Sequence, residues 1–311
     1  MLFGNECAIV GHIIRTGSIG VGGMEDIMKK LLAVCMTVAL SVSMLAGCGS
    51  KADEAASGVK VIDINLTQEE YAFGVDKDQP ELLEQTNEFV KKIKEDGTLD
   101  EICEKYFGGG EPTAVVSAEL DTSKDQLVVA TNAAFEPFEY ISGDSYYGID
   151  MEIAALLAEE LGQELVIQNM DFDAVCLSVG QHKCDIAMAG LTVNEERTEY
   201  VTFTDSYYEA SQKLIVDGAD TAFDACKDAA AVEAILNKLS ASDKIGVQAG
   251  TTAQYYIEGD ADWGFAGLPA ECVPYKNGSL AVQDLINGNI NYVIIDAAPA
   301  ACIVEAINAM Q

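Results

Sequence analysis

The chain has 311 residues, 49% of them hydrophobic, which is too long for one small domain and apolar enough to bury real cores. With 18 Lys and Arg against 51 Asp and Glu, its formal charge is −33. Such a surface repels phosphate backbones and anionic lipid headgroups, so nucleic acid is excluded as a partner, whereas small zwitterions are not.

Residues 1–47 read as a processing leader rather than as fold. Lys29 and Lys30 give a positive flank, and residues 31–46 form an uncharged apolar run that is short for a membrane span. The run ends in Leu45, Ala46, Gly47 and Cys48, which resembles a bacterial lipobox and implies lipidation of Cys48 as the mature N-terminus. A plain signal peptide or membrane anchor is the alternative. Translation starts at Met28 or Met24 on this reading. Beyond Cys48 lie Cys103, Cys176, Cys184, Cys226, Cys272 and Cys302, none in a CxxC pair. The single histidine after the leader, His182, sits in a polar stretch that reads as an exposed loop. Neither a metal centre nor a cofactor is expected from these residues.

Residues 48–58 are small and polar, a tether. Residues 59–66 alternate as a strand, and 71–75 form a second. Pro80 opens a helix whose apolar positions are Leu82, Leu83, Phe89, Val90 and Ile93, stopped by Gly97. A second helix places Leu99, Ile102, Cys103 and Tyr106 on one face. Residues 108–126 form a linker containing Gly, Pro and Ser. Strand and helix then alternate: strands over 127–131, 165–168, 185–189, 213–216, 244–247, 273–275 and 292–295, with helices between them. Asp150 is placed to cap the helix carrying Ile153, Leu156, Leu157 and Leu161. This alternation predicts an α/β fold with mostly parallel sheets, which bind ligands outside the carboxyl ends of their strands.

Seven segments carry a resemblance: ATNAAFEPFEY (130–140), GIDMEI (148–153), MDF (170–172), DIAMAGLTVNEER (185–197), FTDSYY (203–208), GVQAGTT (246–252) and DAAP (296–299). In this order they resemble the polar amino acid solute-binding proteins of ABC importers, the bacterial extracellular solute-binding proteins of family 3. Glutamine- and basic-amino-acid-binding members are the nearest in kind. The resemblance implies a two-lobed, type II periplasmic-binding-protein-like α/β fold. Relatives continue past the helix that here ends at Gln311, and residues 59–107 look like that missing tail moved to the front. The chain is therefore read as a circular permutant. One lobe comprises 73–107 and 127–210, the second 59–72 and 211–311, and 108–126 is the permutation linker. A misassembled gene and exchange of 59–107 between two chains are the alternatives.

An amino acid ligand brings a carboxylate and an ammonium, and burying either without a partner is prohibitive. The resemblance implies Arg197 for the carboxylate, where a guanidinium fork fits in bidentate fashion. A surface pair with Glu195 or Glu199 is the alternative. Thr192 and the Gly190 backbone complete the carboxylate and ammonium contacts, and Thr251 and Thr252 offer backbone N–H groups at a helix start. Asp296 meets the ammonium, or caps a helix. Phe135 and Phe172 sandwich the side chain. Asn132, Gln248 and Ile295 stand where glutamine-binding members carry Asp, Lys and His, which argues against glutamine. Glu136 is placed to meet a cationic side chain or to be solvated.

The implied function is extracytoplasmic capture of a polar or basic amino acid by hinge closure, with delivery to an ABC permease and a lipid anchor on the outer face of the cytoplasmic membrane. A cyclohexadienyl-dehydratase-like enzyme and a sensory ligand-binding module on the same fold are the rival functions.

Overall fold

The computed structural model describes residues 58–310; the leader, Cys48 and the tether up to residue 57 lie outside the described residues. The front segment supplies β1 (Val59–Ile62), β2 (Glu69–Tyr71), β3 (Gly74–Asp76), α1 (Pro80–Glu95) and α2 (Thr98–Phe107). There follow β4 (Gln126–Thr131), β5 (Ala134–Phe135), β6 (Glu139–Ser142), β7 (Ser145–Tyr147), α3 (Ile149–Leu161), β8 (Glu164–Asn169), α4 (Val175–Gly180), β9 (Ile186–Ala187), β10 (Val201–Phe203) and β11 (Tyr208–Ala210). The rest is β12 (Gln212–Asp217), α5 (Ala229–Leu236), β13 (Lys244–Gln248), α6 (Thr252–Glu258), β14 (Glu271–Tyr275), α7 (Gly278–Ile286), β15 (Tyr292–Asp296) and α8 (Ala297–Ala309).

Two five-stranded sheets form the two lobes, in the orders β10-β3-β9-β4-β8 and β1-β12-β15-β13-β14. Each contains two parallel pairings and two antiparallel ones. The sheets are thus more mixed than the alternation predicts. The antiparallel pairings belong to segments that pass between the lobes, where no crossover helix forces a parallel return. Strand β3, from the front segment, lies inside its sheet between β10 and β9 rather than at an edge.

Local chemistry accounts for most elements. Helix α1 carries Pro at its start, Glu81 in the first turn and Lys92 and Lys94 in the last, each sign matched to the helix dipole. Its buried face is Leu82, Thr86, Phe89, Val90 and Ile93. Asp228 and Asn277 cap α5 and α7 by accepting from Ala231 N and Leu280 N. Gly97, at φ +87°, makes the reversal from α1 into α2, a backbone region that side chains with a Cβ avoid.

Some expectations shift. The strand predicted over 71–75 breaks at Ala72 and Phe73, because its two halves join different partners, β2 pairing with β11 and β3 with β10 and β9. The strand over 59–66 ends at Ile62. Asp150 does not cap α3: the cap position is Gly148, and Asp150 lies one residue inside the helix, fully buried. The 108–126 linker is docked rather than looped out. Thr113 N donates to Glu152 (2.9 Å), Ser117 Oγ accepts from Ile167 N (2.8 Å), and Val115 is buried beside Met151 and Ile167.

The first strand and the last helix meet. Val59 N donates to Asn308 Oδ1 at 3.1 Å, and Asn308 Nδ2 donates to Val59 O at 2.9 Å. No helix among the described residues is long and apolar enough to cross a membrane. The six cysteines after Cys48 are all free thiols.

Candidate functional site

The polar side chains singled out by sequence gather where the carboxyl ends of β4, β13 and β15 face the hinge strands β2 and β11. Arg197, in the short 3₁₀ turn Arg197–Glu199, is the only basic residue among the buried polar side chains of the described residues. It pairs with neither Glu195 nor Glu199. Nη1 donates to Thr192 O (2.6 Å) and Nη2 to Gly250 O (3.0 Å), while the guanidinium lies 5.1 Å from the centre of the Phe172 ring. The fork therefore spans both lobes and stacks on an aromatic face. Two of its five N–H donors are used by these contacts, which leaves three for an anion.

A second bridge joins the lobes one strand away. Gln248 Nε2 donates to Asn132 Oδ1 (3.0 Å), and Asn132 Nδ2 donates to Met170 O (2.7 Å). Lys276 reaches Asp171 at 3.2 Å, and Tyr255 donates to Glu196. With these contacts made, the cleft is shut. Thr251 and Thr252 open α6; Thr251 Oγ1 donates to Gln248 O (2.8 Å), whereas Thr252 Oγ1 is buried without a partner. Gly190 sits at φ +54°, and a Cβ there would stand 2.9 Å from Phe135. Glycine is required on both counts. Its N–H donates to Asp150 Oδ2 (2.9 Å), which leaves the Gly190 carbonyl as the backbone group to meet a ligand. Phe135 packs on Phe138 and Gly190, and Phe172 on Arg197. Glu136 is exposed and lines a separate cavity of about 260 Å³ with Tyr140 and Cys302.

Asp296 ends β15 and stands at the cap position of α8 without bonding its backbone, so the capping alternative fails. It accepts instead from Tyr71 Oη at 2.6 Å. Burial, and then the charge of Glu69, push its carboxyl well above the usual carboxylate range. Glu69 accepts from Thr192 Oγ1 (2.7 Å), from Gln212 Nε2 (3.0 Å) and from Thr67. Burial and the neighbouring Asp150 and Asp296 push Glu139 far up, and neither of its carboxyl oxygens has a partner. Glu69, Tyr71, Gln212 and Glu139 were not singled out by sequence. Their partners lie up to 225 residues away, and no spacing rule reaches that far.

The charge balance is lopsided. Among the described residues, Glu69, Asp76, Glu139, Asp150, Glu152 and Asp296 are buried acids against one buried base. Lys105 serves Glu152 and His182 serves Asp76, but the other four have no cationic partner among the described residues. Asp150 accepts from Tyr207 Oη and Gly190 N, yet burial outweighs both and carries its carboxyl to about 7. The sign follows. A carboxyl raised on folding adds stability that is complete below its unfolded value and is lost as pH rises through about 7. The ligand-free melting temperature is expected to fall between pH 5 and pH 8, and Asp150→Asn to flatten part of that slope. A calorimetric pH series checks this, and a flat wild-type curve would contradict it.

The family model of the bacterial extracellular solute-binding proteins, family 3, matches residues 12–109 and 127–293. The arginine-binding extracellular protein ArtP of Bacillus subtilis (strain 168) is 35% identical over 108 residues, covering 35% of this chain and 42% of that protein. The putative ABC transporter arginine-binding protein 2 of Escherichia coli (strain K12) is 30% identical over 179 residues, covering 57% of this chain and 65% of that protein. The chain thus spans less than two thirds of the length of these two relatives. Among solved structures, an ancestral arginine-binding protein bound to arginine superposes with a TM-score of 0.50 at 30% identity, covering 59% of this chain and 75% of that one.

Proposed function

The chain belongs to the bacterial extracellular solute-binding proteins of family 3, and from that premise we propose that it captures a basic amino acid between its lobes for delivery to an ABC permease. The observation that carries the reading is the shut cleft itself. One buried guanidinium with free donors is bonded to Thr192, whose hydroxyl donates to Glu69, and Gln212 joins Glu69 to Asp296, two buried acids that have no cationic partner among the described residues. A ligand with one carboxylate and two cationic groups complements that balance. A neutral polar amino acid meets the carboxylate but leaves the acids short of charge. Asn132 and Gln248 stand at the side-chain end of the site, and Asp296 takes the α-ammonium.

Binding works by hinge closure on this reading. Residues 73–107 and 127–210 form one lobe, and 59–72 and 211–311 the other. Ligand contacts from both exist together only in the shut form, so the ligand shifts the population toward it. Cys48 carries the lipid that holds the protein at the outer face of the cytoplasmic membrane.

We read the chain order as a circular permutation. Three observations support this. The family match falls in two pieces with its gap at 110–126, the strand β3 from the front sits inside a sheet of the body, and Asn308 of the last helix clasps Val59 of the first strand.

The test is a thermal-shift screen of the purified protein against all amino acids. Arginine or lysine should raise the melting temperature by mass action, about 2.7 kcal/mol of stabilisation at a hundred times Kd. The reading fails if no amino acid shifts it, and the ligand class fails if a neutral or acidic one does so best.

A further inference from the structure

Resting on the reading of an amino acid site, we propose that Glu69 is a positioning residue of that site. It turns Thr192 into a hydrogen-bond acceptor and lays a second negative charge beside Asp296, so that this subsite takes an ammonium group and refuses a carboxylate. The argument starts from the single proton of a threonine hydroxyl. In Thr192 that proton is directed at Glu69 Oε2, 2.7 Å away, and both residues are buried. Only the lone pairs of Thr192 Oγ1 remain for a ligand, and lone pairs meet N–H groups, not carboxylate oxygens.

Glu69 is held in place from three sides. Its Oε1 accepts from Thr67 and from Gln212 Nε2, and Thr67 Oγ1 in turn accepts from Gln212 N at 2.8 Å. Gln212 is paired across the sheet with Asp296, so the same residue ties the two carboxyl groups into one network. Asp296 is faced by Glu69 and Tyr71 from β2, Gln212 from β12, Tyr208 from β11 and Glu139 from β6; all are acidic or neutral. Beside Glu69 and Thr192 a cavity of about 700 Å³ opens between strands β2 and β11 and Trp263. The pair therefore forms a wall that a ligand atom can reach when the lobes part.

This arrangement has a signature that packing alone lacks. An incoming ammonium favours ionised Asp296, so affinity should rise with pH up to a break set by that carboxyl in the ligand-free protein. The charge of Glu69 is among the causes that hold Asp296 high. Removing it should move the break to lower pH, even as binding weakens.

The experiment is calorimetric titration of the purified full chain with L-arginine and with L-lysine from pH 5 to pH 8.5. Wild type is expected to gain up to tenfold in affinity per pH unit below the break. Glu69→Gln should lose about tenfold at pH 8 and shift the break downward by half a unit or more. Glu69→Asp keeps the charge, so its break should stay while affinity falls; it serves where the glutamine variant does not fold. Thr192→Val should weaken binding without moving the break. A Glu69→Gln protein that folds, binds more weakly and keeps the wild-type break overturns the role given to Glu69 while leaving the site intact. A Glu69→Asp break that moves would overturn it as well. Wild type that binds neither probe, nor any other amino acid, overturns the site itself.

Discussion

Replacing Arg197 with alanine is expected to lower affinity for the amino acid by about 100-fold or more. Truncating one partner of a buried, hydrogen-bonded charge pair costs about 2–5 kcal/mol, because the other charge is left buried and alone. Here the loss is compounded, since the same guanidinium joins the lobes through Thr192 O and Gly250 O. Arg197→Lys keeps the charge but not the fork, and should recover only part of the affinity. Titration calorimetry separates the roles. If Arg197 merely fastens two carbonyls, the alanine variant will melt earlier without ligand yet show an undiminished ligand-induced shift, and that outcome would sink the assignment.

Deleting residues 59–107 is expected to abolish folding of the remainder, whereas moving the same residues behind residue 310 should preserve both fold and ligand affinity. The segment contributes β3 to the interior of one sheet and buries Tyr71, Phe73, Val75, Leu82, Phe89, Val90, Ile93, Leu99 and Ile102. At about 1.5–3 kcal/mol per buried apolar side chain, its removal forfeits roughly 15–25 kcal/mol of burial. That exceeds the roughly 5–15 kcal/mol by which folded proteins are stable. Relocation breaks only the docked linker near 108–126 and needs a new joint between Asn308 and Val59, which already touch. Circular dichroism and the arginine titration check both proteins. A deletion protein that melts cooperatively, or a relocated one that does not fold, would count against the permuted reading.

Much of this is legible in the sequence. The α1 helix announced itself through Pro80, its 3.6-residue apolar spacing and Gly97, because local backbone rules and one amphipathic face decide a helix of that length. Strands β4, β8, β13 and β15 were visible as short apolar runs between turns. Strands β2 and β3 were not: they are three residues each, and what separates them is the partner each finds, not anything in Tyr71 to Val75. Asp150 illustrates the same limit. An Asp at a helix start is a good cap by local chemistry, yet here it is drawn inward by Gly190 N and Tyr207 Oη.

By itself the sequence determined the elements, the acidic surface, the motif order and the presence of one arginine and one aspartate able to serve a zwitterion. Those depend on nearest neighbours along the chain and on composition. Only the tertiary structure decided that Glu69 and Tyr71 join Asp296 and Thr192, that Gly190 N–H is already taken, and that four buried acids have no cationic partner among the described residues. Those facts depend on which groups meet across hundreds of residues, and on how far burial strips them of water; no local pattern encodes either.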